Sequence, residues 1–140
     1  MDERKMSEKV YIIPCSGIGK VYGSICRQAA YRIVNDLRPG ETAIECLPLI
    51  VKGKKEVVDE LKKNKVITLD GCTAMCAYYD VAKVIDEPDA HFLSTSVVME
   101  NRDLKPEPDI YPLGENAKVL MEIFAKEIAD KVGELLDGEE

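Results

Sequence analysis

The chain has 140 residues, 46% of them hydrophobic and 32% charged, which is enough apolar material for one domain with its own core. A net charge of −7, with basic residues scattered among acids, argues against nucleic acid as a partner, and no apolar run is long enough to span a bilayer. The amino terminus MDERKMSEK lacks the apolar stretch of a signal peptide, so a cytoplasmic location is expected; there, five cysteines point to metal binding or thiol chemistry rather than to disulfides.

Residues 1–9 are polar and read as a disordered tail ahead of a single domain over 10–138. Val10 to Cys15, a short β-branched run closed by Ser-Gly-Ile-Gly, predicts a first strand. From Lys20 to about Leu37 the positions Val21, Ile25, Ala29, Ile33 and Leu37 recur every four residues, the stripe of a helix packing on a sheet, and Pro39-Gly40 ends it. Thr42 to Leu47 reads as a second strand stopped by Pro48. After Gly53, KKEVVDELKKNK is a short amphipathic helix with Val57, Val58 and Leu61 inward. Lys65 to Asp70 is the third strand, and Thr73 to about Glu87 the third helix, its apolar positions Met75, Cys76, Tyr79, Val81 and Val84. Phe92 to Val98 supplies a fourth strand. Met99 to Gly114 carries Pro106, Pro108 and Pro112 and predicts a loop or lid, and Glu115 to Leu136 a long final helix.

Strands alternating with helices call for right-handed crossovers. The expected architecture is α/β, a three-layer sandwich whose mainly parallel sheet has about four strands, Rossmann- or flavodoxin-like. The first three strands are expected to be neighbours, in the order 2-1-3 or 3-2-1.

Cys15, Cys46 and Cys72 each lie at or just past the end of one of these strands. In a parallel sheet all three fall at the carboxyl edge, where open α/β sheets bind their ligands. Adjacent strands lie ~4.8 Å apart, so the outer ends of three neighbours are only ~10 Å from each other. With zinc–sulfur bonds of ~2.3 Å, inward-pointing thiolates from such ends can reach one ion. Cys76, four residues after Cys72 on the first turn of the third helix, can fold over the same edge. A C-x3-C pair alone can equally be core packing; the convergence of three strand ends is what favours a metal.

The other candidates each have two readings. Ser16, Gly17 and Gly19 can bring backbone amides to an anion at the start of the first helix, or can simply form the tight strand-to-helix turn. The turn is not a Walker sequence, because Val21 follows Lys20, and not a C-x5-R phosphate loop, because Val21 also stands six residues after Cys15. Cys26 lies on the apolar stripe of the first helix and reads as a core thiol. Asp70 reads as a helix-capping carboxylate and His91, the only histidine, as a surface residue at a strand edge. Arg27 and Gln28 face either a ligand or solvent. Helix starts after Cys15 and Cys72 are expected to lower their thiol pKa and to attract anions.

PCSG at Pro14 to Gly17, RQAAY at Arg27 to Tyr31, CLP at Cys46 to Pro48, and DGC at Asp70 to Cys72 followed by Cys76 resemble the DGC-domain family, described as zinc-binding proteins with four cysteines. The likeness runs from Tyr11 to about Val98. It implies that Cys15, Cys46, Cys72 and Cys76 are the family's cysteines and the metal ligands, with Cys26 outside the set; it implies no reaction. Thr73 stands where a proline is expected after DGC, which bears on the start of the third helix alone.

Two function classes follow. In one, four thiolates hold Zn²⁺ at the carboxyl edge of the sheet, with a ligand or catalytic role unassigned. In the other, the same cysteines carry an iron–sulfur cluster or undergo thiol exchange. A structural zinc usually staples a loop-rich knuckle, whereas this chain has a core without it, so zinc at a ligand-binding edge is the preferred reading. The expected partner is a small anionic or thiol ligand entering under the proline-rich loop.

Overall fold

The run VYIIP at Val10–Pro14 forms β1, and its continuous apolar character is that of a strand covered on both faces. The computed structural model describes residues 9–15, 20–45, 47–72 and 74–137. After β1 come α1 (Val21–Arg32), whose last turn widens into a π-helical turn at Ile33–Leu37, then β2 (Thr42–Ile44), α2 (Leu47–Lys52) and α3 (Lys55–Lys62). They are followed by β3 (Lys65–Asp70), α4 (Cys76–Val84), β4 (Ala90–Leu93), α5 (Ser94–Glu100) and α6 (Glu115–Asp137).

All four strands are parallel and lie in the order β2-β1-β3-β4. This is the first of the two orders the sequence allows, and it bears out an α/β, flavodoxin-like sheet. Alternate residues of each central strand feed two separate apolar clusters, as a period of two requires. Val10, Ile12, Ile67 and Leu69 pack with Ile25, Ala29 and Ile33 and with Leu120, Phe124 and Ile128 of α6. Tyr11, Ile13 and Val66 pack with Leu47, Ile50, Leu61, Ala77 and Val81. Each fully buried Leu, Ile or Phe contributes about 1.5–3 kcal/mol, so both faces stabilise the sheet substantially.

Several local expectations change in the folded chain. The stretch read as a strand from Phe92 to Val98 is strand only to Leu93, after which Ser94–Glu100 is helical. Leu93 pairs with Asp70, the last residue of β3, so beyond it there is no neighbour to extend a ladder. A helix meets its backbone hydrogen bonds internally, and the β-branched Thr95, Val97 and Val98 yield to that need. Pro48 does not stop a strand reaching Leu47. It sits in the first turn of α2, where a missing N–H costs nothing. The third helix is shorter than Thr73 to Glu87, and its inward face is Ala77 and Val81; Cys76 is exposed and Tyr79 is 52% exposed.

The proline-rich connection is pinned rather than loose. Glu107 accepts hydrogen bonds from the amides of Asn116 and Ala117, two of the donors left over at the start of α6. The backbone amides of Glu107 itself, Asn116 and Ala117 hold its carboxyl below the usual carboxylate range. A Cβ at Gly114 would run into that carboxyl, so the glycine leaves room for the cap.

Because the Glu107 pKa is lower folded than unfolded, its stabilisation is complete above the unfolded value of about 4.3 and is lost as pH falls through the folded one. Glu107→Ala is therefore expected to lower the melting temperature at neutral pH and to speed hydrogen exchange at Asn116 and Ala117. The difference from the parent chain should close in acid; an equal gap at all pH values would remove the capping role.

Candidate metal centre

In the order β2-β1-β3-β4 the chain leaves β1 in one direction for β2 and then crosses back over it to β3. The crevice between the carboxyl ends of β1 and β3 is therefore the topological switch point, where flavodoxin-like sheets bind ligands. Pairing of the two strands continues to this edge: Pro14 lies opposite Leu69, and the amide of Cys15 donates to the Leu69 carbonyl at 2.8 Å. Cys15 thus sits buried on one lip, and Asp70-Gly71-Cys72 forms the other.

Each residue of Asp70-Gly71-Cys72 has a separate task. Asp70 is buried, and its carboxylate accepts the amides of Ala77 at 2.9 Å and Tyr78 at 3.1 Å. It caps α4 from a distance, because the residue before that helix, Met75, is in the left-handed conformation with φ 54° and supplies no side-chain cap. The same carboxylate lies 3.0 Å from His91 Nε2. With both carboxylate oxygens already accepting, Nε2 carries the hydrogen and donates it. These donors compensate a buried charge that would otherwise be costly.

Gly71 permits contact. A Cβ there would stand 2.9 Å from the carbonyl carbon of Tyr22 and 3.0 Å from the amide nitrogen of Gly23, both backbone atoms of α1. Only glycine allows the turn after β3 to touch the first turn of α1 so closely. Ser94 adds a second tie by donating to the Tyr22 carbonyl at 2.9 Å. Cys72 follows, exposed at the lip.

The sulfurs influence one another. The Cys76 thiol is raised, first by what desolvation it has at this edge, then by the negative charge of Asp70, Asp80, Cys72 and Cys15. A helix start alone would lower it, so desolvation together with the acidic surroundings outweighs the dipole at Cys76. Cys26 is fully buried, as its place on the apolar stripe predicts, yet it is more than a core filler. Its thiol hydrogen-bonds with Cys15, and that bond, followed by burial, pushes its pKa well above the ordinary value, with nearby Ser94 acting in the opposite sense. The buried contact with Cys15 thus favours the neutral thiol at Cys26.

Of the residues singled out in the sequence, Cys15, Cys72 and Cys76 lie at this edge, with Cys76 within electrostatic reach of the other two. Cys46, Ser16, Gly17 and Gly19 lie outside the described residues. Among the described residues, no three His, Cys, Asp or Glu side chains form a group spaced for a metal ion. The residue types nevertheless suit one by their chemistry, because thiolate is a soft ligand and a thiophilic cation would relieve the raised Cys76 thiol. His91 is not the surface residue expected; its side chain is 15% exposed and hydrogen-bonded to Asp70. Nothing in its sequence neighbourhood signals this, because the contact depends on β4 lying beside β3. Arg27 turns back to Ser24 Oγ at 3.2 Å, and Gln28 lines a small cavity with Tyr111 and Pro112.

The fold and this edge define an open, all-parallel α/β protein with a cysteine-lined switch point. Residues 11–120 match the model of the DGC domain, well over half of the chain, and the protein belongs to the DGC domain family. No curated protein and no solved structure matches it.

Gly71→Ala is expected to cost about 1–3 kcal/mol, the range of overpacking where backbone must shift. The loss should appear in chemical denaturation, with altered amide signals at both Tyr22 and Cys72. Unchanged stability would mean that the approach of the two turns is not tight.

Proposed function

We propose that the protein binds zinc through Cys15, Cys72 and Cys76, with Cys46 as the fourth sulfur, at the β1/β3 switch point. The observation that supports this reading is geometric: Cys15 continues the β1/β3 pairing at the carboxyl edge, and Cys72 and Cys76 follow β3 at the same edge, with the Cys76 thiol raised by desolvation, by Asp70 and Asp80, and in smaller part by Cys72 and Cys15. A bound zinc would supply positive charge that lets these thiols ionise together, and a Lewis-acid position if one coordination place stays open. Asp70 fixes the helix that carries Cys76, Gly71 seats the turn before Cys72 against α1, and the buried Cys26 thiol lies in contact with Cys15. Such outer contacts orient ligands and tune their basicity. No helix among the described residues is long and apolar enough to cross a membrane, and a reducing cytoplasm would keep these cysteines as thiols.

A ligand-binding or catalytic role suits the site better than a purely structural one. Both apolar clusters assemble from strands and helices without needing the sulfurs as a staple, although Cys15 touches one of them. Thiol chemistry is the second reading, favoured by the buried contact of Cys15 with Cys26, and an iron–sulfur cluster uses the same four cysteines.

Anaerobically purified protein is expected to carry about one zinc per chain and no visible absorption. Single Ser replacements of Cys15, Cys46, Cys72 or Cys76 should lose most of the metal, while Cys26→Ala should keep it. Metal-free protein should retain its circular dichroism. Iron with broad charge-transfer bands would transfer the assignment to a cluster, a colourless metal-free protein to thiol chemistry, and cooperative unfolding on chelation to a structural staple.

A further inference from the structure

A cavity away from the sulfurs lies between the first turn of α1 and the end of α5 with the segment that follows it, with a volume of about 610 Å³. That is within the ordinary range of about 300–1,000 Å³ for small-molecule sites. Val21 and Tyr22 form one wall, Val98, Met99 and Leu104 the other, and Pro106 and Pro108 close its rim. Met99 is 62% exposed here, an apolar side chain presented to an open pocket rather than to the core.

The polar lining consists of Arg102 and Lys105. Neither side chain has an ion pair or hydrogen bond among the described residues, in a protein whose net charge is −7. The nearest acid along the segment toward α6, Glu107, is already committed to the amides of Asn116 and Ala117. Asp103 and Asp109, close in sequence, are not part of the lining. Two uncompensated cations over apolar walls have a definite chemical complement.

We propose that this cavity binds an oxyanion with an apolar body, a carboxylate or phosphate ester whose charged end meets Arg102 and Lys105 and whose body lies on Tyr22, Val98 and Met99. Arginine presents a planar fork suited to such groups, and the positive end of α1 adds to the same field. Tyr22, which lines this cavity, is also the residue whose backbone Gly71 packs against. The assignment needs no metal and stands apart from the zinc reading.

Octanoate, octanamide and inorganic phosphate, titrated separately into the full chain and followed by amide chemical shifts, test it. Octanoate is expected to move Val21, Tyr22 and Val98 at millimolar concentration. Octanamide and inorganic phosphate should each bind about tenfold more weakly or worse, since each lacks half of the recognition. The double replacement of Arg102 and Lys105 by Ala, at exposed positions that leave the core intact, should weaken octanoate about tenfold and leave octanamide unchanged. Absence of octanoate binding, equal binding of octanoate and its amide, undiminished binding by the double variant, or shifts confined to another surface would each overturn the proposal.

Discussion

The arrangement at the carboxyl edge depends on one buried carboxylate. Asp70 ends β3, holds the first amides of α4 and accepts a hydrogen bond from His91 of β4. Removing water from a carboxylate is expensive, and the cost is offset only if its donors stay in place. Three elements are therefore obliged to meet at one point, and Cys76, the first residue of α4, is placed by that obligation. The aromatic ring of Tyr78, 5.1 Å from the His91 ring, closes the same contact from the helix side.

Around this anchor, close approach of backbone organises the sulfurs. The contact of Gly71 with Tyr22 and Gly23 brings the turn after β3 onto α1, and the Ser94 bond to Tyr22 brings α5 onto the same turn. Cys72 rides on the first contact. Cys15 is set by the continuation of β1/β3 pairing and by its thiol contact with Cys26. Asp70 lends order to the edge and at the same time makes it more negative, raising the Cys76 thiol. A site that is both well positioned and electrostatically unfavourable to its own thiolates is one whose ionisation a cation would drive.

The cavity at the first turn of α1 has a different character. There the chain offers apolar surface and two cations without an ion pair among the described residues, framed by a segment that Glu107 ties to α6. The prolines limit the shapes this segment can take, and the Glu107 bonds select one of them, so the cavity has a fixed rim without regular structure. Sulfur edge and basic cavity share Tyr22, the first on its backbone and the second as a lining residue.

Much of this was legible along the chain. Short apolar, β-branched runs located β1 and β3, and apolar positions at helical spacing located α1, α3 and α6, because a segment's own hydrogen bonding and burial are set by local pattern. The placement of Cys15 and Cys72 at the sheet's carboxyl edge followed from the same patterns. What the pattern could not supply was anything set by a neighbour. Thr95, Val97 and Val98 have strand propensity, yet they form a helix because β3 ends at Asp70 and leaves them no partner. His91 and Cys26 look like a surface histidine and a core thiol until β4 is laid beside β3 and α1 against Cys15. Local sequence determined which segments are strands and helices and which residue types end them. Tertiary structure alone decided which of those ends meet, because strand order, the reach of a buried carboxylate and the fit of a glycine against another helix are properties of two segments at once.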